Sequence, residues 1–352
     1  MELLEKTICS IKGPDLGIME KARERQGILT KPLGSLGRLE ELAIKLCGIA
    51  GRFHPKVKFK RVVVFAGDHG VVSEGVSAYP KEVTAQMVYN FLAGGAAINS
   101  IALAVGSQLE VVDIGVDHEL LPQRGLVRKK IARGTQNFCN GPAMTKKQAV
   151  HALEAGIERA FLADRNGVNL IAGGDMGIGN TTSASALFCA YLGFKPEKIV
   201  GPGAGLDSKG IAAKAKVVKK ALAVNRGALK DPLETLAALG GFEIAGLAGL
   251  YLGACEKRMA ILVDGFIATA AALAAVRLCP AVSELLIFSH LSGEPGHKLV
   301  LEKMGASPLL SLDLRLGEGT GACLAMALVE SALNCHNRMA TFQSAGVSGK
   351  KK

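Results

Sequence analysis

Three glycine-rich segments carry the residue types from which an anion-binding site with acid–base chemistry can be built. Gly174-Asp175-Met176-Gly177-Ile178-Gly179-Asn180-Thr181 follows an apolar run and precedes a helical pattern, so its glycines let backbone N–H groups approach an anion at a helix N-terminus. The spacing is that of a P-loop, yet Asn180 stands where a triphosphate site needs a lysine. A monophosphate fits the segment better than ATP; the bare alternative is a tight strand-to-helix turn with no ligand. Gly201-Pro202-Gly203-Ala204-Gly205-Leu206-Asp207, followed by Lys209, Lys214 and Lys216, is either a phosphate clamp or a connecting loop with a solvated lysine face. In Gly317-Glu318-Gly319-Thr320-Gly321-Ala322, Glu318 stands between two glycines that leave its carboxylate open to a ligand. A helix-dipole role is the competing reading. The formal match of this segment to G-x-G-x-x-A is weak, because a dinucleotide site needs an early βαβ unit and an acid about twenty positions later.

Other clusters imply less. Asp68 with His69, Asp113 with Asp117 and His118, and His290 with Glu294 and His297 can be drawn together as metal ligands, but no H-E-x-x-H pair occurs and Pro295 interrupts the last group. Histidines at strand ends more often hydrogen-bond loop backbone, and no metal is expected. Asp264-Gly265-Phe266-Ile267-Ala268-Thr269 faintly matches the loop that binds ribose pyrophosphate donors but lacks its paired acids and T-G-x-T, which disfavours a pyrophosphate-leaving donor.

Apolar runs at 61–65, 109–114, 168–172, 259–263 and 284–288 each end in glycine or polar residues and read as strands whose carboxyl ends gather along one edge of a parallel sheet. Leu36, Leu39, Leu42, Ala43, Leu46 and Ile49 recur at helical spacing, so 35–50 reads as an amphipathic helix with Ser35 as its cap. The fold class is α/β. Helices near 36–50 and 321–333 flank the strands and can pack as a small unit built from both chain ends.

The 352 residues are 49% hydrophobic and 21% charged, enough for one large core and an appended unit. Lys plus Arg total 42 against 31 Asp plus Glu, with part of the excess in 124–133 and in the Lys350-Lys351-Lys352 tail, which reads as frayed. With 5% aromatic residues and no reading motif, nucleic acid is not expected as a partner, and an anionic small molecule explains the charge equally well. Eight cysteines without a C-x-x-C pair fit buried thiols in a reducing cytoplasm. No signal peptide is evident, and polar residues with Gly94-Gly95 interrupt the charge-free run 83–109, so no membrane span is expected.

The segments taken in order resemble the nicotinate-nucleotide:dimethylbenzimidazole phosphoribosyltransferase family of cobamide synthesis. They are Lys31-Pro32-Leu33-Gly34-Ser35-Leu36-Gly37-Arg38-Leu39-Glu40, Phe65-Ala66-Gly67-Asp68-His69-Gly70, and Glu74-Gly75-Val76-Ser77-Ala78-Tyr79-Pro80 with Gln86 beyond it. Further on come 176–182, 201–207, Gly240-Gly241-Phe242-Glu243-Ile244-Ala245-Gly246, Ser289-His290, Glu294-Pro295-Gly296-His297 and 315–322. The resemblance implies a parallel-sheet, Rossmann-like large domain over 61–318. It also implies a small helical domain from 1–60 and 319–352, and a homodimer. It implies transfer of the 5-phosphoribosyl group of nicotinate mononucleotide to 5,6-dimethylbenzimidazole, with no cofactor.

By the same resemblance Glu318 is the general base and Asp175 an accessory acid. Tyr79, Gln86 and Leu316 surround the acceptor base, while Gly177, Asn180, Thr181, Gly203, Lys214 and Ser292 surround the nucleotide. The family usually has Glu where Asp175 stands, one methylene longer, which leaves the accessory role and the range of bases open. Two other classes compete: a silent ligand-binding subunit, opposed by Glu318 and the complete glycine loops, and a nucleotide-dependent kinase or dehydrogenase, opposed by Asn180.

Overall fold

The computed structural model describes residues 2–348, so the Gly349-Lys350-Lys351-Lys352 end lies outside the described residues. Six parallel strands form the central sheet: β1 (Phe59–Gly67), β2 (Gln108–Gly115), β3 (Leu126–Arg128), β4 (Val168–Met176), β5 (Ala260–Val263) and β6 (Leu286–Phe288). Their order is β3-β2-β1-β4-β5-β6, a doubly wound sheet whose direction of winding reverses between β1 and β4. A two-stranded parallel pair, β7 (His290–Leu291) and β8 (Leu310–Ser311), extends beyond β6. The fold is α/β, as read from the sequence.

Residue patterns and observed elements differ in instructive places. β4 runs on through Gly173, Gly174 and Asp175, which look like a turn in sequence. They stay extended because neighbours fill the space where side chains would be: a Cβ on Gly173 would meet Leu247 Cδ2 at 2.5 Å, and one on Gly174 the Glu318 carbonyl oxygen at 2.5 Å. β3 lies inside the basic run 124–133, where charge masked it. Most of that charge is met locally, as Arg128 and Arg133 pair with Glu119, Lys129 with Glu158 and Lys130 with Asp113.

Ser35 is not a helix cap. The helix begins at Arg38, after Gly37, because the 31–37 segment is fixed instead by a buried ion pair: Lys31 Nζ lies 2.7 Å from Glu40 Oε1, which also accepts the Leu36 N–H. The Glu82–Val105 stretch is long and apolar enough to cross a membrane by length and composition. It is two helices, Glu82–Ala93 and Ala97–Val105, broken where Gly94 turns left-handed at φ 81°. Each is shorter than the ~20 residues a span requires. All eight cysteines are free and six are buried.

Three helices from the chain ends, Leu16–Ile28, Arg38–Ala50 and Thr320–Arg338, pack on one another. Arg25 Nε donates to the His336 carbonyl at 2.6 Å, and Leu29 bridges to Thr341. On the sheet's other side the Phe242–Glu256 helix is buried along almost its whole length against Lys146–Arg165. Glycines allow the backbones to touch: a Cβ on Gly249 would lie 1.9 Å from the Leu153 carbonyl oxygen, and one on Gly156 1.9 Å from that of Gly246. Gly249→Ala is therefore expected to destabilise the fold by about 1–3 kcal/mol, the range for overpacking. A urea unfolding midpoint unchanged from the wild type would contradict this.

Candidate active site

The doubly wound order makes a crevice where β1 and β4 diverge, and a cavity of about 430 Å³ opens there at the carboxyl ends of the strands. Asp175, next to last in β4, forms part of its floor and is 6% exposed. Glu318 comes to it from the far end of the chain, its N–H donating to the Asp175 carbonyl oxygen at 3.2 Å. Gly317, Glu318 and Gly319 are consecutively left-handed, at φ 81°, 62° and 83°. A glutamate held so costs on the order of 1 kcal/mol or more, strain of the kind that collects at working sites. The turn aims the carboxylate into the cavity, where Oε2 accepts from the Ile98 N–H at 3.4 Å at the start of the Ala97–Val105 helix.

Four buried acids crowd this floor: Asp175, Glu243, Asp264 and Glu318. Glu243 Oε1 lies 2.6 Å from His69 Nε2, both side chains fully enclosed. Asp264 Oδ1 accepts the Ala322 N–H at 2.8 Å, capping the Thr320–Arg338 helix, and lies 3.7 Å from His290 Nδ1. Burial raises Asp175 well above the usual aspartate range, and the charges of Asp264 and Glu243 raise it further, against the hydrogen bond from Asn180 Nδ2 at 2.9 Å. Glu318 is raised by burial, partly offset by the Ile98 N–H. Both acids therefore hold protons more tightly than free carboxylates.

The two remaining glycine segments meet at one end of the cavity. Thr181, in the first turn of the Asn180–Leu192 helix, receives a hydrogen bond from Lys214 Nζ at 2.7 Å. Gly203 closes over the pair: a Cβ there would lie 2.8 Å from Thr181 Oγ1 and 3.1 Å from Lys214 Nζ. Lys214 is buried, which lowers its ammonium to about 8 although Glu294 opposes the shift. Its chain does not line the cavity; it lies directly behind residues that do. Ser292 is held by His297, whose Nδ1 accepts the Ser292 N–H at 2.8 Å. Burial lowers His297 to about 3, so its imidazole is neutral and available as that acceptor.

Val76, Tyr79, Val83, Met87 and Leu316 form an apolar wall at the other end. Tyr79 and Leu316 are half exposed, leaving room for a flat ring to cover them. Gln86 does not line the cavity. It stands exposed on the Glu82–Ala93 helix because Val83 and Met87, four residues apart, share the inward face and leave Gln86 on its flank. The other predicted residues, Gly177, Asn180, Thr181, Gly203 and Ser292, all line it. Among the described residues no group of three or more His, Cys, Asp or Glu side chains is arranged to hold a metal.

A family model described as phosphoribosyltransferase matches residues 11–347. The nicotinate-nucleotide–dimethylbenzimidazole phosphoribosyltransferase of Geobacter metallireducens is 51% identical over 99% of this chain and 98% of its own length. That of Chlorobaculum tepidum is 51% identical over 98% of each. The chain belongs to this phosphoribosyltransferase family. A crystal structure of the Thermus thermophilus member, 49% identical, superposes with a TM-score of 0.90 over 96% of this chain and 100% of that one.

Within this phosphoribosyltransferase several cavity residues have no plain mark in the sequence. Arg315 lines the cavity and donates from Nη1 to the Gly203 carbonyl at 3.4 Å; Glu294 and His290 also line it. His290 and Glu294 do stand out in sequence, but as metal ligands, a reading that their separate partners do not favour. Asp264 and Glu243 are each one acid in an apolar segment, and only the fold brings them under Asp175. The elevated Asp175 gives a sign to test. Its folded pKa lies above the unfolded value, so wild-type folding is progressively penalised as pH rises above the ordinary carboxylate range and the proton is lost. Asp175→Asn removes that penalty, and its melting temperature relative to the wild type is expected to climb as pH rises above the ordinary carboxylate range; a difference that stayed flat or fell would refute the raised pKa.

Proposed function

We propose that this chain transfers the 5-phosphoribosyl group of nicotinate mononucleotide to 5,6-dimethylbenzimidazole, giving α-ribazole 5′-phosphate and nicotinate for the nucleotide loop of cobamides. The observation that carries the reading is Glu318: a carboxylate aimed by a left-handed turn into the cavity, with raised proton affinity, in a chain of this family. One nitrogen of the benzimidazole attacks C1′ from the face opposite the leaving group, so the centre inverts. Its partner N–H becomes acidic as positive charge develops, and Glu318 accepts that proton. The electrons of the broken C1′–N bond neutralise the pyridinium of nicotinate. The step balances with no metal or other cofactor.

Geometry supports a division of labour. Tyr79 and Leu316, with Val83 and Met87, cover the faces of the acceptor ring, while Gln86, exposed on the same helix as Val83 and Met87, would reach it only from outside the cavity lining. Gly177, Asn180, Thr181, Gly203 and Ser292 surround the phosphoribosyl group, with Lys214 behind Thr181 and Arg315 beside it supplying charge. Fixing the phosphate orients C1′ for in-line attack. Asp175, pushed toward its neutral form by burial, accepts from Asn180 through its side chain and from the Glu318 N–H through its carbonyl. We further propose that residues 1–60 and 319–352 form a small helical domain on 61–318, that the enzyme acts as a cytoplasmic homodimer, and that neither nucleic acid nor membrane is a partner. Packing among the three end helices supports the first of these, and the six buried thiols support a reducing compartment.

The direct test mixes purified protein and nicotinate mononucleotide, with and without the base and without added metal, and follows products by chromatography. Nicotinate release that depends on the base, with a new α-ribazole phosphate peak, is expected; binding of the mononucleotide without either product would defeat the reading. Glu318→Gln is expected to lower kcat by about 10²–10⁴-fold with a melting temperature no lower than that of the wild type, and near-wild-type turnover by that variant would remove Glu318 as base. In the free enzyme kcat/KM should rise with pH through the elevated Glu318 pKa, as the base loses its proton. It should fall again above about 8 as Lys214 loses its charge.

A further inference from the structure

His290 lines the cavity with one nitrogen engaged by the protein and the other without a hydrogen bond among the described residues. Nδ1 faces the protein, 3.2 Å from Ser289 Oγ and 3.7 Å from Asp264 Oδ1. The Ser289 hydroxyl donates to the Asp264 carbonyl oxygen at 3.3 Å, so toward His290 its oxygen is an acceptor, which assigns the ring proton to Nδ1. Two glycines clear the space for this pose: a Cβ on Gly321 would lie 2.0 Å from Nδ1, and one on Gly265 3.2 Å from Nε2. The ring is thus clamped, 3% exposed, between the start of the Thr320–Arg338 helix and the turn after β5. Nε2 makes no hydrogen bond among the described residues and is not sealed off as a buried unpaired atom, so it opens on the cavity that His290 lines beside Ser292 and Gly265.

An imidazole whose ring proton sits on Nδ1 offers a lone pair at Nε2, and so calls for a donor. Phosphate and the nicotinate carboxylate have only acceptors to give. The benzimidazole N–H belongs to Glu318, which leaves the sugar hydroxyls. Resting on the transferase reading above, we infer that His290 is a further substrate-contacting residue: Nε2 accepts a hydrogen bond from a ribosyl hydroxyl of the mononucleotide, and Asp264 and Ser289 are positioning residues that fix the imidazole tautomer.

Two variants separate contact from scaffolding. His290→Asn keeps an N–H close to Nδ1 for Ser289 but has nothing at Nε2. Asp264→Asn keeps Oδ1, which takes the Ala322 N–H and faces His290 Nδ1, so the helix cap survives while the negative charge behind His290 is lost. Steady-state kinetics with nicotinate mononucleotide and with its 2′-deoxy and 3′-deoxy analogues is the measurement. His290→Asn should lower kcat/KM for the mononucleotide about tenfold, the loss for one substrate hydrogen bond, and leave KM for the acceptor base within about twofold. Asp264→Asn should show part of the same loss at a melting temperature no lower than that of the wild type. One deoxy analogue should cost the wild type about as much, and cost His290→Asn nothing further.

If both deoxy analogues penalise His290→Asn as heavily as the wild type, or if the variant is as active as the wild type, the contact is refuted while the transferase assignment stands. If the wild type binds the mononucleotide but releases no base-dependent nicotinate, the assignment falls and takes this contact with it. Should His290→Asn fail to fold, the deoxy comparison on Asp264→Asn decides: a penalty as large as in the wild type overturns the positioning role.

Discussion

A carbon atom at residue 174 would dismantle this site. The turn that carries Glu318 rests directly on the backbone of β4, with the Glu318 carbonyl oxygen only 2.5 Å from where a Gly174 Cβ would be, and its N–H bonded to Asp175. The glycines that follow make comparable contacts. Gly319 comes within 2.8 Å, measured to its absent Cβ, of Val62 in β1, and Gly321 within 2.0 Å of His290. The start of the last long helix is thereby seated on β1, β4 and β7 together. Asp264 then caps it through the Ala322 N–H. Backbone contact of this closeness holds a carboxylate in place with few of the flexible links that a side-chain-mediated contact would introduce.

Closeness also creates the electrostatic problem that the rest of the floor answers. Four carboxylates in a poorly solvated space cannot all be ionised cheaply. Each is treated differently: Glu243 is set against His69, Asp264 against a helix N-terminus and His290, Asp175 is pushed toward its neutral form, and Glu318 faces the end of the Ala97–Val105 helix. Of the four, Glu318 and Asp175 reach the cavity, and their proton affinities are separated by degree of enclosure and by the number of acidic neighbours. Two acids pushed apart in this way suit one to exchange a proton with a ligand and the other to keep its own.

The basic excess of the chain contributes little to this. Part of it lies on the 124–133 edge, where four of the five cations pair with Glu119, Glu158 and Asp113, while the cations beside Thr181 and Gly203 are Lys214, enclosed, and Arg315. A buried lysine reads anions at short range with weak screening, which the net charge of a surface cannot do.

The sequence by itself determined the local terms. Apolar runs ending in glycine and polar residues specify strands of a parallel sheet, and Asn180 in the lysine position argues against triphosphate chemistry. The ordered motifs carry the family, which the relatives bear out. These are legible because each depends on residues close together in the chain. What only the tertiary structure decided are relations between distant segments: that Gly173-Gly174 are strand and not turn, that β3 exists within a charged run, and that Lys31 serves Glu40. The inward face of the Glu82–Ala93 helix, showing Val83 and Met87 rather than Gln86, and the pairing of Asp264 with His290 belong with them. Propensity and spacing describe one segment at a time, whereas burial and proton affinity are set by whichever segments the sheet's winding brings into contact.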